Sequence, residues 1–294
     1  MTLSMNSTSP QKVLVLGVTG MLGNAVFRLF SESHGFEAHG TARSATGLKH
    51  FGAEHRTRIS VGIDVEHQDQ LIQLFNRVRP DVVINCIGLV KQLAEADDPL
   101  SALPINALLP HRLARLASLV GARLVHISTD CVFSGTQGNY RESDAPDALD
   151  LYGRSKLLGE VDYDNAVTLR TSIIGHELAS AHSLVGWFLA QEGRVRGFTR
   201  AVFSGLPTVE LAKVIRDQVL PRPHLRGLWH VSSDPIGKYD LLNLVKTAFD
   251  KSIEIVPDDR LVIDRSLDSS RFRGETGWTP APWTELVASM RRFG

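Results

Sequence analysis

Cysteine is almost missing: the chain holds only Cys86 and Cys131 in 294 residues. Two thiols make neither a disulfide framework nor a metal quartet. Charge of one sign is missing too. Lys and Arg total 32 and Asp and Glu total 32, so no net field draws the chain to nucleic acid or to an anionic membrane. Long hydrophobic runs are absent, since even Val82–Val90 is too short and too polar to span a bilayer. The first ten residues are rich in Ser, Thr and Asn, without the basic start and apolar core of a secretory signal. Residues 1–11 therefore read as a disordered leader. The 11 histidines are scattered, with no pair at the spacing of a helical zinc motif, so no catalytic metal is expected. A Gly-x-Ser-x-Gly elbow and a Walker phosphate loop are lacking as well. These absences exclude a secreted, membrane-spanning or nucleic-acid-binding class and leave a cytoplasmic protein.

What is present is organised around Gly17-Val18-Thr19-Gly20-Met21-Leu22-Gly23. Lys12–Leu16 before it is short, apolar and β-branched, as a strand buried on both faces should be. After it Leu22, Ala25, Val26, Leu29 and Phe30 form one helical stripe. Strand, glycine turn and helix in that order suit a phosphate, because glycine admits close backbone approach and the helix start offers free N–H groups. The spacing is Gly-x-x-Gly-x-x-Gly, and tight helix–strand packing would also account for it.

The alternation continues. Strands are expected at Phe36–Ala42, Val61–Ile63, Asp81–Cys86, Arg123–Ser128 and Ala166–Arg170. Helices are expected at Gln68–Arg77, with Leu71, Ile72 and Phe75 inward, at Pro104–Leu119, with Leu108, Leu113, Leu116 and Leu119 apolar, and from Tyr152 to about Asp162. Such alternation predicts an α/β protein with a doubly wound parallel, Rossmann-like sheet. Beyond Arg170 the regularity stops. A helix over Thr208–Leu220, capped by Thr208, and a strand over Gly227–Val231 look able to rejoin the sheet. The expected division is a dinucleotide-binding domain over 12–170 with 206–232. A smaller, partly interleaved C-terminal substrate domain would take 171–205 and 233–294.

Tyr152 and Lys156 stand at i and i+4 on one helix face. An ammonium near a phenol lowers the phenol pKa from its reference of about 10 and makes it a usable general acid or base. Ser128-Thr129-Asp130 closes a strand at the same sheet edge, where a hydroxyl can hold a carbonyl oxygen.

Gly17–Gly23, Ser128–Gly135 and Tyr152-Gly153-Arg154-Ser155-Lys156 together resemble the extended short-chain dehydrogenase/reductases, most of all the dTDP-4-dehydrorhamnose reductases. Asn106-Ala107, Arg170-Thr171-Ser172, Gly205-Leu206-Pro207-Thr208, Ser233–Tyr239 and Arg265-Ser266-Leu267-Asp268 fit the same likeness. The resemblance implies that Tyr152 protonates a substrate ketone while a nicotinamide delivers hydride. It implies that Lys156 tunes Tyr152 and holds the nicotinamide ribose, and that Thr129 helps to hold the ketone oxygen. Gly17, Thr19, Gly20, Met21, Leu22, Gly23, Arg43, Ser44, Asp64, Val65, Cys86, Ile87 and Gly88 would line the cofactor groove with Tyr152 and Lys156. Lys91, Thr129, Asp130, Cys131 and Arg170 would face the substrate. Asp64 would match the acidic residue near the adenine, a loop aspartate being the alternative; Asn85 would line the cofactor groove or form a turn; Cys131 reads as a small packing residue rather than a nucleophile.

The end of the second strand bears on the cofactor. Ala42 stands where an acid would bind the adenosine ribose, and Arg43 with Ser44 offers a cation and a hydroxyl for a 2′-phosphate. NADP(H) is therefore expected over NAD(H), a solvated Arg43 being the alternative. The implied function is NADPH-dependent reduction of a keto group on a nucleoside-diphosphate sugar, with a homodimer admitted as the assembly. A nucleotide-sugar epimerase or dehydratase uses the same fold. Dehydratases carry Thr-Asp-Glu where this chain has Thr129-Asp130-Cys131, and a thiol does not replace that carboxyl. The regulatory beta subunit of methionine adenosyltransferase, which binds the dinucleotide without turnover, is the remaining alternative. Cys131 and the stretch Asn85–Gln92 depart from the reductase pattern, which leaves the sugar and the nucleotide base open.

Overall fold

The structure is a computed structural model that describes residues 9–89, 94–179 and 181–294. The leader up to residue 8 and Lys91 lie outside the described residues. Seven strands form one parallel sheet: β1 Gln11–Leu16, β2 Phe36–Ala42, β3 Ile59–Val61, β4 Val82–Asn85, β5 Arg123–Thr129, β6 Ala166–Thr171 and β7 Gly227–His230. Their order is β3-β2-β1-β4-β5-β6-β7. The order reverses between β1 and β4, so a crevice opens at the carboxyl ends of those two strands.

Both faces of the sheet are covered, and the period-2 pattern of β1 shows how. Val13 and Val15 pack with Val26, Phe27 and Phe30 of α1 (Met21–Ser31). Leu14 and Leu16 point the other way, to Leu71, Leu74 and Phe75 of α2 (Gln68–Val78) and Leu113 of α3 (Leu109–Leu119). The helix α4 spans Leu151–Leu158. Beyond β6, α5 (Thr208–Val214) lies against α1, and β7 pairs in parallel with β6. A third core gathers Val185, Phe188, Val195, Leu241, Val245, Ile255 and Met290 around α6 (Lys238–Ala248) and α7 (Trp283–Phe293). Among the described residues no helix is long and apolar enough to cross a membrane.

Several expectations need correction. The third strand lies two residues earlier than Val61–Ile63, because Gly62 turns the chain with φ +77°. Ile72 is exposed at 46%: the buried stripe of α2 is Leu71, Leu74, Phe75 and Val78, and Ile72 is rotated about 100° from Leu71. The helix expected over Pro104–Leu119 is present but starts earlier, at Pro99, and runs through a π-helical stretch at Leu103–Leu108 into α3 without leaving helical backbone. Leu108 and Leu119 are exposed, and only Leu113 and Leu116 of the four face the core. Thr208 caps nothing; Pro207 is the cap residue of α5 and Thr208 is buried. The helix begun at Leu151 ends at Leu158, because Gly159 touches the chain at Asn106, where any Cβ would meet the Asn106 carbonyl.

Candidate active site

The glycine turn is built for close approach. Gly17 has φ +82°, and a Cβ there would lie 2.8 Å from Ile87 Cγ1. A Cβ on Gly23 would lie 2.1 Å from the Gly17 carbonyl oxygen, so only glycine lets α1 start this near β1. The Gly17 N–H donates to Thr41 Oγ1 at 3.1 Å and the Val18 N–H to the Thr41 carbonyl at 3.0 Å. Gly20 precedes α1 with no side-chain cap, and the first turn holds no acid. The leading N–H groups and the positive end of the helix dipole therefore face outward beside Thr19, Gly20 and Met21. Leu22 and Gly23 are buried, so they contribute backbone and packing alone.

Around this turn stand the other groove residues. Arg43 and Ser44 are exposed at the end of β2. Thr19 is overlaid by the turn Ala45–His50, since a Cβ on Gly47 would come within 2.4 Å of Thr19 Cγ2. Asp64 is held within the chain: its carboxylate accepts from the Glu66 N–H at 3.0 Å and pairs with His67 Nδ1 at 3.1 Å. Val65 beside it is buried. Asn85, at the end of β4, donates to His126 Nδ1 at 3.2 Å and accepts from the Ile87 N–H at 3.1 Å, which shapes the chain through Cys86, Ile87 and Gly88. Burial pushes the Cys86 thiol up to about 12, so it is no nucleophile at neutral pH.

Asn106 was not singled out as a site residue, yet it ties two walls together. Its Oδ1 accepts from the Leu89 N–H at 2.9 Å, and its Nδ2 donates to Ser155 Oγ at 3.2 Å. An asparagine within a leucine-rich stretch was the available signal, because a buried amide needs partners. Lys156, on α4, lies beside this junction, 3.8 Å from where a Gly88 Cβ would be. Its Nζ donates to the Ile127 carbonyl at 2.8 Å. Burial lowers the Lys156 ammonium from 10.5 to about 8, against the pull of Glu160.

The reacting side of the crevice is the turn after β5. Thr129 Oγ1 donates to Asp130 Oδ1 at 3.1 Å, accepts from the Cys131 N–H at 3.1 Å, and stands beside the Tyr152 phenol. Asp150 caps α4 by accepting from the Gly153 N–H at 2.8 Å. Gly153 presses against Cys131, which sets Tyr152 beside Thr129. Burial, and after it Cys131, Asp130 and Asp150, push the phenol well above its usual value. Here the structure corrects the expectation that Lys156 lowers it. Lys156 is not among the groups that move the phenol, and its Nζ donates to the Ile127 carbonyl. Burial likewise raises Asp130, with Arg265 and bonds from Thr129 and Ser172 opposing.

Arg170 does not face a substrate. It is 3% exposed, and its Nε and Nη2 each donate to Glu160 at 2.7 Å. Its guanidinium also reaches His230 Nε2 at 3.4 Å and lies 5.2 Å over the Phe133 ring. The structure thus brings Thr129, Asp130, Cys131, Tyr152 and Lys156 to one edge with the glycine turn, and places Arg170 inside the protein.

Comparison with known proteins follows this geometry. Residues 11–257 match the model of a family described as the RmlD substrate binding domain. The chain is 28% identical to methionine adenosyltransferase 2 subunit beta of Xenopus tropicalis over 93% of this chain and 79% of that one. A dTDP-4-dehydrorhamnose reductase from Bacillus anthracis in complex with NADP superposes with a TM-score of 0.78 at 20% identity, covering 98% of this chain and 99% of that one. The Bordetella bronchiseptica enzyme WbmG in complex with NAD and UDP gives 0.74 at 18% identity, covering 97% and 95%.

Proposed function

The chain belongs to the RmlD substrate binding domain family, and on that premise we propose that it reduces a keto group on a nucleoside-diphosphate-linked sugar with NADPH. The observation that carries this reading is the Tyr152 phenol beside Thr129, at the same sheet edge as a glycine turn that leads into an uncapped helix start. In this reading residues 12–170 and 206–232 hold the dinucleotide, and 171–205 and 233–294 hold the sugar. The pyrophosphate rests on the Gly17–Gly23 amides. Arg43, exposed and without a hydrogen bond or ion pair among the described residues, takes the 2′-phosphate. Bound NADPH supplies the hydride.

Thr129 holds the ketone oxygen against Tyr152, which is protonated at neutral pH and gives its proton as negative charge grows on that oxygen. Lys156, fixed by the Ile127 carbonyl, presents its remaining donors toward the nicotinamide ribose. A cytoplasmic place of action accords with nucleotide-sugar chemistry. Asp64 is the weakest of the assigned groove residues, because the start of α2 already engages both of its oxygens.

The test is loss of NADPH absorbance with a panel of nucleotide 4-ketosugars, run on wild type and Tyr152→Phe. Oxidation in the wild type, lost in the variant with NADPH affinity kept, is the expected result. Tight dinucleotide binding without oxidation of any sugar would instead make the chain a binding subunit. Its likeness to the beta subunit across 93% of its length favours that second reading. An isomerised sugar without net NADPH use would identify an epimerase.

A further inference from the structure

Two cations from the C-terminal half lie close enough to act on the Thr129–Asp130–Cys131 turn. Lys238 is the first residue of α6, brought in by the pairing of Ile236–Gly237 with Val202–Phe203. Arg265 follows the strand Ile263–Asp264 and donates from Nε to the Phe133 carbonyl at 2.8 Å, with its stem against Gly135. That bond anchors the guanidinium while Nη1 and Nη2 make no hydrogen bond among the described residues. Lys238 Nζ likewise has no hydrogen bond or ion pair among them, although the residue is half-buried. Asp130 feels Arg265, and Lys238 feels Asp130, Cys131 and Arg265, so the groups share one electrostatic environment.

Half-buried cations with open donors cost desolvation unless an anion answers them. The anions already present are Asp130, whose carboxylate also accepts from Thr129 and Ser172, and Asp147. Arg265 acts on both, whereas Lys238 makes no ion pair with either among the described residues, so its charge is left for a ligand. Arg265 offers a planar pair of N–H donors, the shape that takes a carboxylate bidentately. Asp130 adjoins Thr129, which in the proposed function holds the ketone oxygen. The cations therefore stand beside the reacting carbon. A diphosphate on the anomeric carbon of a 4-ketosugar would hang from the far side of the ring.

We propose that Lys238 and Arg265 are specificity-determining residues that select a sugar bearing a carboxylate next to the reacting carbon, a nucleotide hexuronate rather than a neutral hexose. This inference rests on the nucleotide-sugar reading above. The test is calorimetric binding to NADPH-loaded protein of UDP-glucuronate, UDP-glucose and UDP, repeated with the thymidine series. The uronate should bind at least about tenfold more tightly than the hexose, the worth of a charge-assisted contact. Lys238→Met should bring that ratio close to one and leave UDP and NADPH binding unchanged. Lys238→Arg should keep the preference, which a merely structural role for the position would not predict. Equal binding of uronate and hexose by the wild type overturns the proposal. So does a Lys238→Met variant that weakens UDP by the same factor, for the cations would then grip the diphosphate. If NADPH binds and no nucleotide or nucleotide sugar does, the function proposed above fails and takes this inference with it.

Discussion

Raising the pH through 8 should disable Lys156. Its ammonium is 6% exposed and lowered by burial from 10.5 to about 8, with Glu160 opposing. At pH 7 about nine molecules in ten carry the charge, and at pH 9 about one in ten, given that value. If the charged form binds the ribose and supports turnover, kcat/KM falls close to tenfold over those two pH units. Stability should move the other way. The unfolded lysine keeps its proton up to 10.5 and the folded one releases it near 8. Between those values the unfolded state binds more protons, so stability rises with pH. The full displacement is worth about 3 kcal/mol.

The assay is a pH profile of kcat/KM and of NADPH affinity from pH 6 to 10, with melting temperature recorded in parallel. Lys156→Arg keeps its charge throughout, so it should lose the alkaline fall. Lys156→Met should be poor at every pH and should lack the wild type's relative gain in stability above pH 8. An alkaline fall that persists in Lys156→Arg, or that lies near pH 10, would refute the reasoning.

Other outcomes follow from the same contacts. Glu160→Ala leaves Arg170 buried without its carboxylate and should cost about 3–5 kcal/mol of stability by chemical denaturation. A large rise in KM at unchanged stability would restore Arg170 to the substrate. Gly17→Ala forces an L-residue into φ +82° against Ile87, which should cost about 1–3 kcal/mol and weaken NADPH binding in titration calorimetry. Arg43→Ala should weaken NADPH binding by about tenfold or more while NADH binding stays the same. Equal affinity of the wild type for the two dinucleotides would remove Arg43 from the 2′-phosphate.

The sheet was readable because its rules are local. β2 occupies Phe36–Ala42 as expected, and β4 and β5 differ from expectation by two residues at most. Strands buried on both faces are continuous in apolar residues, and the glycine turn marks the strand-to-helix corner whatever the remainder of the chain does. The π-helical stretch Leu103–Leu108 was not readable, since its wider turn follows from Asn106 reaching Leu89 and Ser155, which are remote in sequence. Lys238 was passed over for the same reason. Within α6 it is an ordinary first-turn residue, and only the fold sets it against Asp130.

Charge is where spacing misleads most, and the two errors have one cause. Arg170 closes β6 at the edge where substrate should lie, yet Glu160, ten residues upstream, already holds it. Tyr-x-x-x-Lys spacing promises an ammonium acting on the phenol, yet Lys156 bonds to the Ile127 carbonyl. Tyr152 is left among burial, Cys131, Asp130 and Asp150, which all raise it. In both cases an acceptor outside the motif decides what the cation bonds to. The second correction bears on the protonation state. A phenol held above its usual value keeps its proton at neutral pH, so little phenolate is present to act as a base. In the proposed reduction Tyr152 would therefore start as the protonated phenol.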